Sequence, residues 1–297
     1  MFRRLAGMLI ALAAVLFAEM AAAAQPYPFT VPPVDQTLDL HGNPAGAQLV
    51  VFVAGNQYMV MPALLRAFTR SHPKITRIYY ETLPPGVIAQ QIAGGGLRMG
   101  NLIVAAKPDV MLAGHRRMAV MRAQGYVGTP FSYATNVLAI MIRKGNPKRI
   151  RSLSDLGRAD IRVSMPNPRW EGVSEQIERV YLKAGGEELL RTIMIAKVAN
   201  GTTVLTRIHH RQTPMFILDG RADAGPVWIS EALYQERIGA PISMVTIPPA
   251  QNETAAYEAA EIRNAPHARA AQAFLEFLQS PKARAIYESY GFGPPAR

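Results

Sequence analysis

From Gln48 onward, short apolar runs alternate with amphipathic stretches of helical length, which restricts the chain to folds built on a largely parallel sheet covered by helices. LVVFVA precedes MPALLRAFTRSH, ITRIYYE precedes GVIAQQIA, and PDVMLAG precedes RRMAVMRAQG. VLAIMIRKG and IRVSMP have the β-branched and apolar content of strands, and the serines of SLSDLG are suited to cap a short helix between them. EGVSEQIERVYLKAGG predicts a helix stopped by its glycine pair. ADAGPVWIS and ISMVTIPP predict two more strands, and HARAAQAFLEFLQSPKARAIYESYG predicts two helices divided near Pro281.

Ahead of this pattern, Arg3 and Arg4 precede the apolar run Leu5 to Phe17 and the small residues Ala21 to Ala24. A positive start, a short apolar segment and a small-residue exit predict a secretory signal peptide cleaved after Ala24. The apolar run falls short of the roughly 20 residues needed to span a bilayer, which argues against an uncleaved anchor. Residues 25–46 are rich in Pro and turn formers and lack periodicity, so an extended surface leader is expected there. Removing 24 of the 297 residues leaves 273, enough for one large or two medium domains. The chain has no cysteine, which excludes disulfides, thiolate metal sites and cysteine nucleophiles. Its formal charge of +11, or +10 without Arg3, Arg4 and Glu19, favours anionic partners. The basic residues are scattered, and with export expected, nucleic acid is not a fitting partner.

Five blocks in a fixed order carry a family resemblance: LVVFVAGNQYMVMPALLRAFTRSHP, KPDVMLAGHRRMAVMRAQGYV, NPKRIRSLSDLGRADIRVSMPNPRWEGV, GRADAGPVWISEA and AAQAFLEFLQSPKARAIYESYGF. Together they resemble the molybdate-binding family of periplasmic solute-binding proteins. GRADAGPVWISEA is similar to the family's Gly-x-Ala-Asp-Ala-Gly-x-x-Tyr segment. The resemblance implies a two-lobed α/β fold, each lobe a mainly parallel sheet flanked by helices. Two crossover strands, at about Tyr133 to Arg143 and Pro241 to Pro248, would join the lobes. Residues 47–132 and 246–297 would form the first lobe and residues 133–245 the second. A ligand would sit in the cleft at the carboxyl ends of strands, where helix N-termini favour an anion. The implied function is a monomeric, cofactor-free periplasmic receptor that captures a small anion, either an oxyanion or an organic acid. Closing over it would create the shape recognised by an ABC transporter permease in the inner membrane.

The resemblance also places site residues. Asn56, with Gln57 and Tyr58 beside it, falls where the family has an oxyanion-binding Ser, and its amide both donates and accepts. Pro85 falls on a second Ser and removes a hydroxyl and a backbone donor, leaving Thr82 as a nearby hydroxyl. Glu171 falls on a small residue whose backbone would donate, His210 takes a helix-start position, and Trp228 replaces a Tyr. These replacements weaken the case for molybdate itself. In one reading His115, Arg116, Arg169, His209, His210 and Arg211 line the cleft and hold an anion by charge-assisted bonds. In another, His115, Glu171 and His209 or His210 bind a transition metal or its chelate. Plainer roles compete: adjacent histidines are commonly polar loop residues, Trp170 and Trp228 suit a core, and the glycines at 94–96 lack the spacing and Lys of a phosphate loop. With no Gly-x-Ser-x-Gly elbow or His-Glu-x-x-His motif, an enzyme is the least supported class. A ligand sensor in a signalling system stays open beside transport.

Overall fold

Every residue of the first strong apolar run, Leu49–Ala54, is buried, as befits a strand with a sheet neighbour on each edge and helices on both faces. The computed structural model describes residues 39–99, 102–169, 171–206 and 209–296; the expected signal peptide, the leader up to residue 38 and Trp170 lie outside them. In chain order the strands are β1 Leu40–His41, β2 Leu49–Ala54, β3 Ile78–Leu83, β4 Leu97–Met99, β5 Leu102–Val104, β6 Val110–Gly114, β7 Phe131–Arg143, β8 Val163–Met165, β9 Thr203–Leu205, β10 Ala224–Trp228, β11 Ile242–Thr246 and β12 Thr254–Glu261. The main helices are α1 Met61–Ser71, α2 Pro85–Gly94, α3 His115–Ala123, α4 Val173–Arg191, α5 Thr213–Leu218, α6 Ile229–Arg237, α7 Ala268–Leu278 and α8 Pro281–Ser289.

The principal sheet runs β1-β3-β2-β6-β12-β7-β10-β8-β9, with β11 also on β7. Strands β3, β2 and β6 form one parallel core, and β10, β8 and β9 form another. Between them, β12, β7 and β11 are antiparallel. The fold is therefore the expected two-lobed α/β architecture, with an antiparallel strand, β12, that the Ala- and Glu-rich TAAYEAAE did not announce. It forms because both of its edges are paired, with β6 on one side and β7 on the other.

Alternation along each central strand serves two cores at once. Leu49, Val51 and Val53 pack with α1, α7 and α8, where Phe68 meets Phe274 edge-on at 5.2 Å. Val50, Phe52 and Ala54 face α2 and α3 through Ile88, Met118 and Met121. In the second lobe, Leu138, Ile140 and Ile142 pack toward α4, while Met141 meets Phe216 and Ala232 of α5 and α6. The expected helix breaks also have local causes. α4 leaves helical geometry at Gly185 and Gly186, the latter at φ +65°. Ser280 caps α8 by accepting from the Ala283 N–H at 3.2 Å.

Only part of the leader is described, and it is not a loose surface segment. Leu40 and His41 pair antiparallel with β3, and Asp39 just before them is 1% exposed. The sequence showed no pattern there because two residues of edge strand are too few to make one.

At Gly225 of β10 the backbone of the next strand comes close. A Cβ there would lie 2.7 Å from the Ser164 carbonyl oxygen and 2.8 Å from Thr213 Cγ2. Gly225→Ala should therefore destabilise the protein by about 1–3 kcal/mol, read as a lower midpoint in urea unfolding.

Candidate functional site

β2, β3 and β6 end at Ala54, Leu83 and Gly114, and β10 ends at Trp228. The segments beyond these ends, with the start of α4 and residues 254–257 of β12, enclose a cavity of about 600 Å³. It lies at the carboxyl ends of parallel strands, where open α/β sheets receive ligands. A register shift between Tyr257 and Glu258 turns β12 there, and Tyr257 joins the wall.

The first lobe contributes Asn56, Pro85, His115, Arg116 and Arg117. One N–H of the Asn56 amide is engaged by the Tyr257 hydroxyl, to which it donates. Pro85 is the first residue of α2, a position that needs no N–H. His115 begins α3, and its Nδ1 lies 2.6 Å from Glu258 Oε1. Arg116 pairs with Glu175 of α4 across the opening, whereas Arg117 has no carboxylate within ion-pair distance among the described residues.

The second lobe contributes Glu171, Arg179, His209, His210 and Trp228. Trp228 is buried and meets Tyr257 edge-on at 6.0 Å. His210 opens a short turn into α5, and its Nδ1 stands 2.7 Å from Glu171 Oε2 and its Nε2 3.1 Å from Glu231 Oε1. Burial alone would lower its pKa, but the Glu231 charge and the Glu171 hydrogen bond outweigh it and push the imidazole up to about 10. Burial likewise works against ionised Glu171, but bonds from His210 and Thr206 hold it below the usual carboxylate range. His209 behaves oppositely. Burial and the Arg211 charge pull its pKa down despite Asp39, leaving it neutral.

The structure separates the expected site residues into two groups. Asn56, His115, Glu171, His209, His210 and Trp228 are brought to the cavity wall. Gln57, Tyr58, Thr82, Arg169 and Arg211 are not. Gln57 is 0% exposed and accepts from the hydroxyls of Tyr133 at 2.7 Å and Tyr287 at 2.9 Å, because the tight turn at residues 55–57 aims it into the first lobe's core. Tyr58 is in the same core, with the Arg211 guanidinium 4.5 Å from its ring centroid. Thr82 donates to Asp39 Oδ1 at 3.1 Å, and Arg211 pairs with the same carboxylate. Arg169 is exposed, with its side chain outside the cavity wall. The histidines do not form a metal set either. His115 faces Glu258, His209 faces Asp39 and His210 lies between Glu171 and Glu231, and no group of three or more side chains that could hold a metal ion is assembled among the described residues.

The sequence reading passed over Asp39, Arg117, Glu231 and Tyr257. Glu231 had a local signal: it stands three residues after Trp228 and accepts from the Trp228 N–H at 3.3 Å, as in a helix-start box. Asp39 and Tyr257 had none, since their roles arise from contacts with segments far away in the chain.

A family model described as bacterial extracellular solute-binding protein matches residues 49–293. The molybdate-binding protein ModA of Mycobacterium bovis is 27% identical over 219 residues, covering 71% of this chain and 76% of that protein. Among solved structures, the sulfate-binding protein SubI from Mycobacterium tuberculosis matches with a TM-score of 0.68 at 22% identity, over 83% of this chain and 86% of that one. The Azotobacter vinelandii periplasmic molybdate-binding protein matches with a TM-score of 0.67 at 19% identity, over 84% of this chain and 100% of that one. At these identities the structural matches establish a shared fold.

Two consequences can be measured. Asp39→Ala leaves the 3%-exposed Arg211 buried without its carboxylate and should cost about 3–5 kcal/mol, with Asp39→Ala/Arg211→Met closer to the parent. For His210 the folded pKa is raised, so the stability it contributes is fully present below its ordinary 6.5 and is lost as pH rises toward about 10. The gap in thermal midpoint between the parent and His210→Gln should accordingly be widest below pH 6.5 and shrink steadily above it.

Proposed function

The chain belongs to the bacterial extracellular solute-binding proteins, and from that premise we propose that it captures a small organic anion in its interlobe cavity and delivers it to an ABC transporter permease. It is a binding protein, not an enzyme. The segment from Arg3 to Ala24 supports export to the periplasm. Residues 47–132 with 246–297 make up one lobe and residues 133–245 the other, a division that the separate apolar cores support away from its edges, where Tyr133 and Ala134 pack in the first core and Ile247 in the second.

The cavity's size carries the choice of ligand class. About 600 Å³ falls within the roughly 300–1,000 Å³ typical of sites for small organic molecules, far more than a bare tetrahedral ion fills. Trp228, Tyr257, Pro85 and Val173 supply walls for a carbon skeleton. Arg117, in the first turn of α3, supplies a cation for an anionic end. The proteins named for molybdate and sulfate bind anions too, which accords with the sign of the ligand.

Thermal unfolding and calorimetry of the exported form against mono- and dicarboxylic acids, with molybdate, sulfate and divalent metals as comparators, test this reading. One organic acid should bind 1:1, be recovered unchanged and, at 100 times its Kd, add about 2.7 kcal/mol of stability. Arg117→Ala should weaken it by roughly 10- to 100-fold, as expected for a charge-assisted bond of about 1.5–3 kcal/mol. A response confined to metals or to inorganic oxyanions overturns the proposal.

A further inference from the structure

Residues 167–210 gather hydrogen-bond donors around a carboxylate that the chain itself supplies. Glu171 Oε1 accepts from the Asn167 N–H at 3.2 Å and from the Thr206 hydroxyl. Its Oε2 accepts from the His210 N–H and lies 2.7 Å from His210 Nδ1. Glu171 is 4% exposed, yet it forms part of the cavity wall. Four donors match the roughly four lone-pair positions of an ionised carboxylate, so neither oxygen has an acceptor position left for a ligand.

The donors come from just beyond the carboxyl ends of β8 and β9, the place where a parallel sheet receives a ligand. Two are backbone N–H groups, one is a hydroxyl and one is an imidazole, a combination that cradles small anions. We infer that this cradle is an anion seat whose permanent occupant is Glu171, making Glu171 a specificity-determining residue. It denies the second lobe's seat to free oxyanions and small carboxylates, and confines a ligand's charged end to the Arg117 side of the cavity. The inference rests on the cavity being the ligand site of the proposed receptor.

The surrounding charges agree. Glu171 and Glu231 both face His210, so the cluster holds two carboxylates against one imidazole, and a further anion would meet negative charge. Removing the carboxylate reverses the situation. In Glu171→Ala the same four donors surround a space the size of a carboxylate.

Formate is the probe that fits that space, with sulfate and molybdate as larger anions and chloride at equal ionic strength as the reference. Thermal midpoints and calorimetry should show no saturable response of the parent protein to formate, sulfate or molybdate. Glu171→Ala should have a lower midpoint that formate raises saturably, and adding Thr206→Val should weaken formate binding at least tenfold. If Glu171→Ala does not fold unaided, its refolding yield in formate against chloride is the readout: a formate-dependent gain supports the seat, and equal yields overturn it. A folded Glu171→Ala indifferent to formate overturns it as well, as does saturable sulfate or molybdate binding by the parent. The formate outcomes are read on the Glu171→Ala variant, not on the parent that the acid panel tests. A missing formate response therefore leaves the organic-anion reading standing, and a silent acid panel leaves the seat result standing.

Discussion

The strand β7 is the constraint on which the two lobes depend. Its early residues pair with β12, and from Leu138 onward its edges pair with β10 and β11. A run that satisfies its main-chain groups through thirteen residues cannot bend freely, so it fixes where one apolar core ends and the next begins. Tyr133 and Ala134 belong to the first core and Leu138 and Ile140 to the second. The cavity lies where this continuous ladder passes from one core to the other, and its wall takes residues 254–257 of β12.

Into this apolar frame the protein buries several ionisable side chains, and those beside the cavity face one another. An isolated buried ion is costly, and desolvation consumes most of what a paired one gains. Asp39 answers Arg211, Glu171 and Glu231 answer His210, and His209 stays neutral between Asp39 and Arg211. Their value therefore lies less in net stability than in position: they hold the turn at residues 209–212 against both the leader and the start of α4. That turn is where the second lobe approaches the cavity.

Much of the fold was legible in the sequence because the signals were local. Leu49–Ala54 is apolar along its length, α1 repeats apolar residues at helical spacing, and Pro281 and the Gly185–Gly186 pair punctuate helices. β12 was not legible, since Ala and Glu carry little strand preference and its pairing partners on both edges impose the conformation. The site divided along the same line. Asn56, Glu171, His210 and Trp228 could be reached through their segments, but the direction of a side chain in a tight turn could not, and so Gln57 and Tyr58 point into the core. Glu171 was located while its role was not, because its donors lie at positions 167, 206 and 210 and meet only in three dimensions.

The leader's bond to the second lobe bears on how such a molecule opens. Asp39 adjoins the first lobe's edge strand, Arg211 belongs to the second lobe, and both are almost wholly shielded from water. Of the other ion pairs between the lobes, Arg116 with Glu175 is exposed on both sides, and Glu253 is held by the exposed Arg179 and Lys183. Hydration compensates the loss of an exposed pair at small cost, whereas parting the shielded pair strands two charges before water can reach them. Separating the lobes at Asp39 and Arg211 is therefore costlier than separating them at Arg116 and Glu175, and the leader ties the two lobes together at a point that water does not reach.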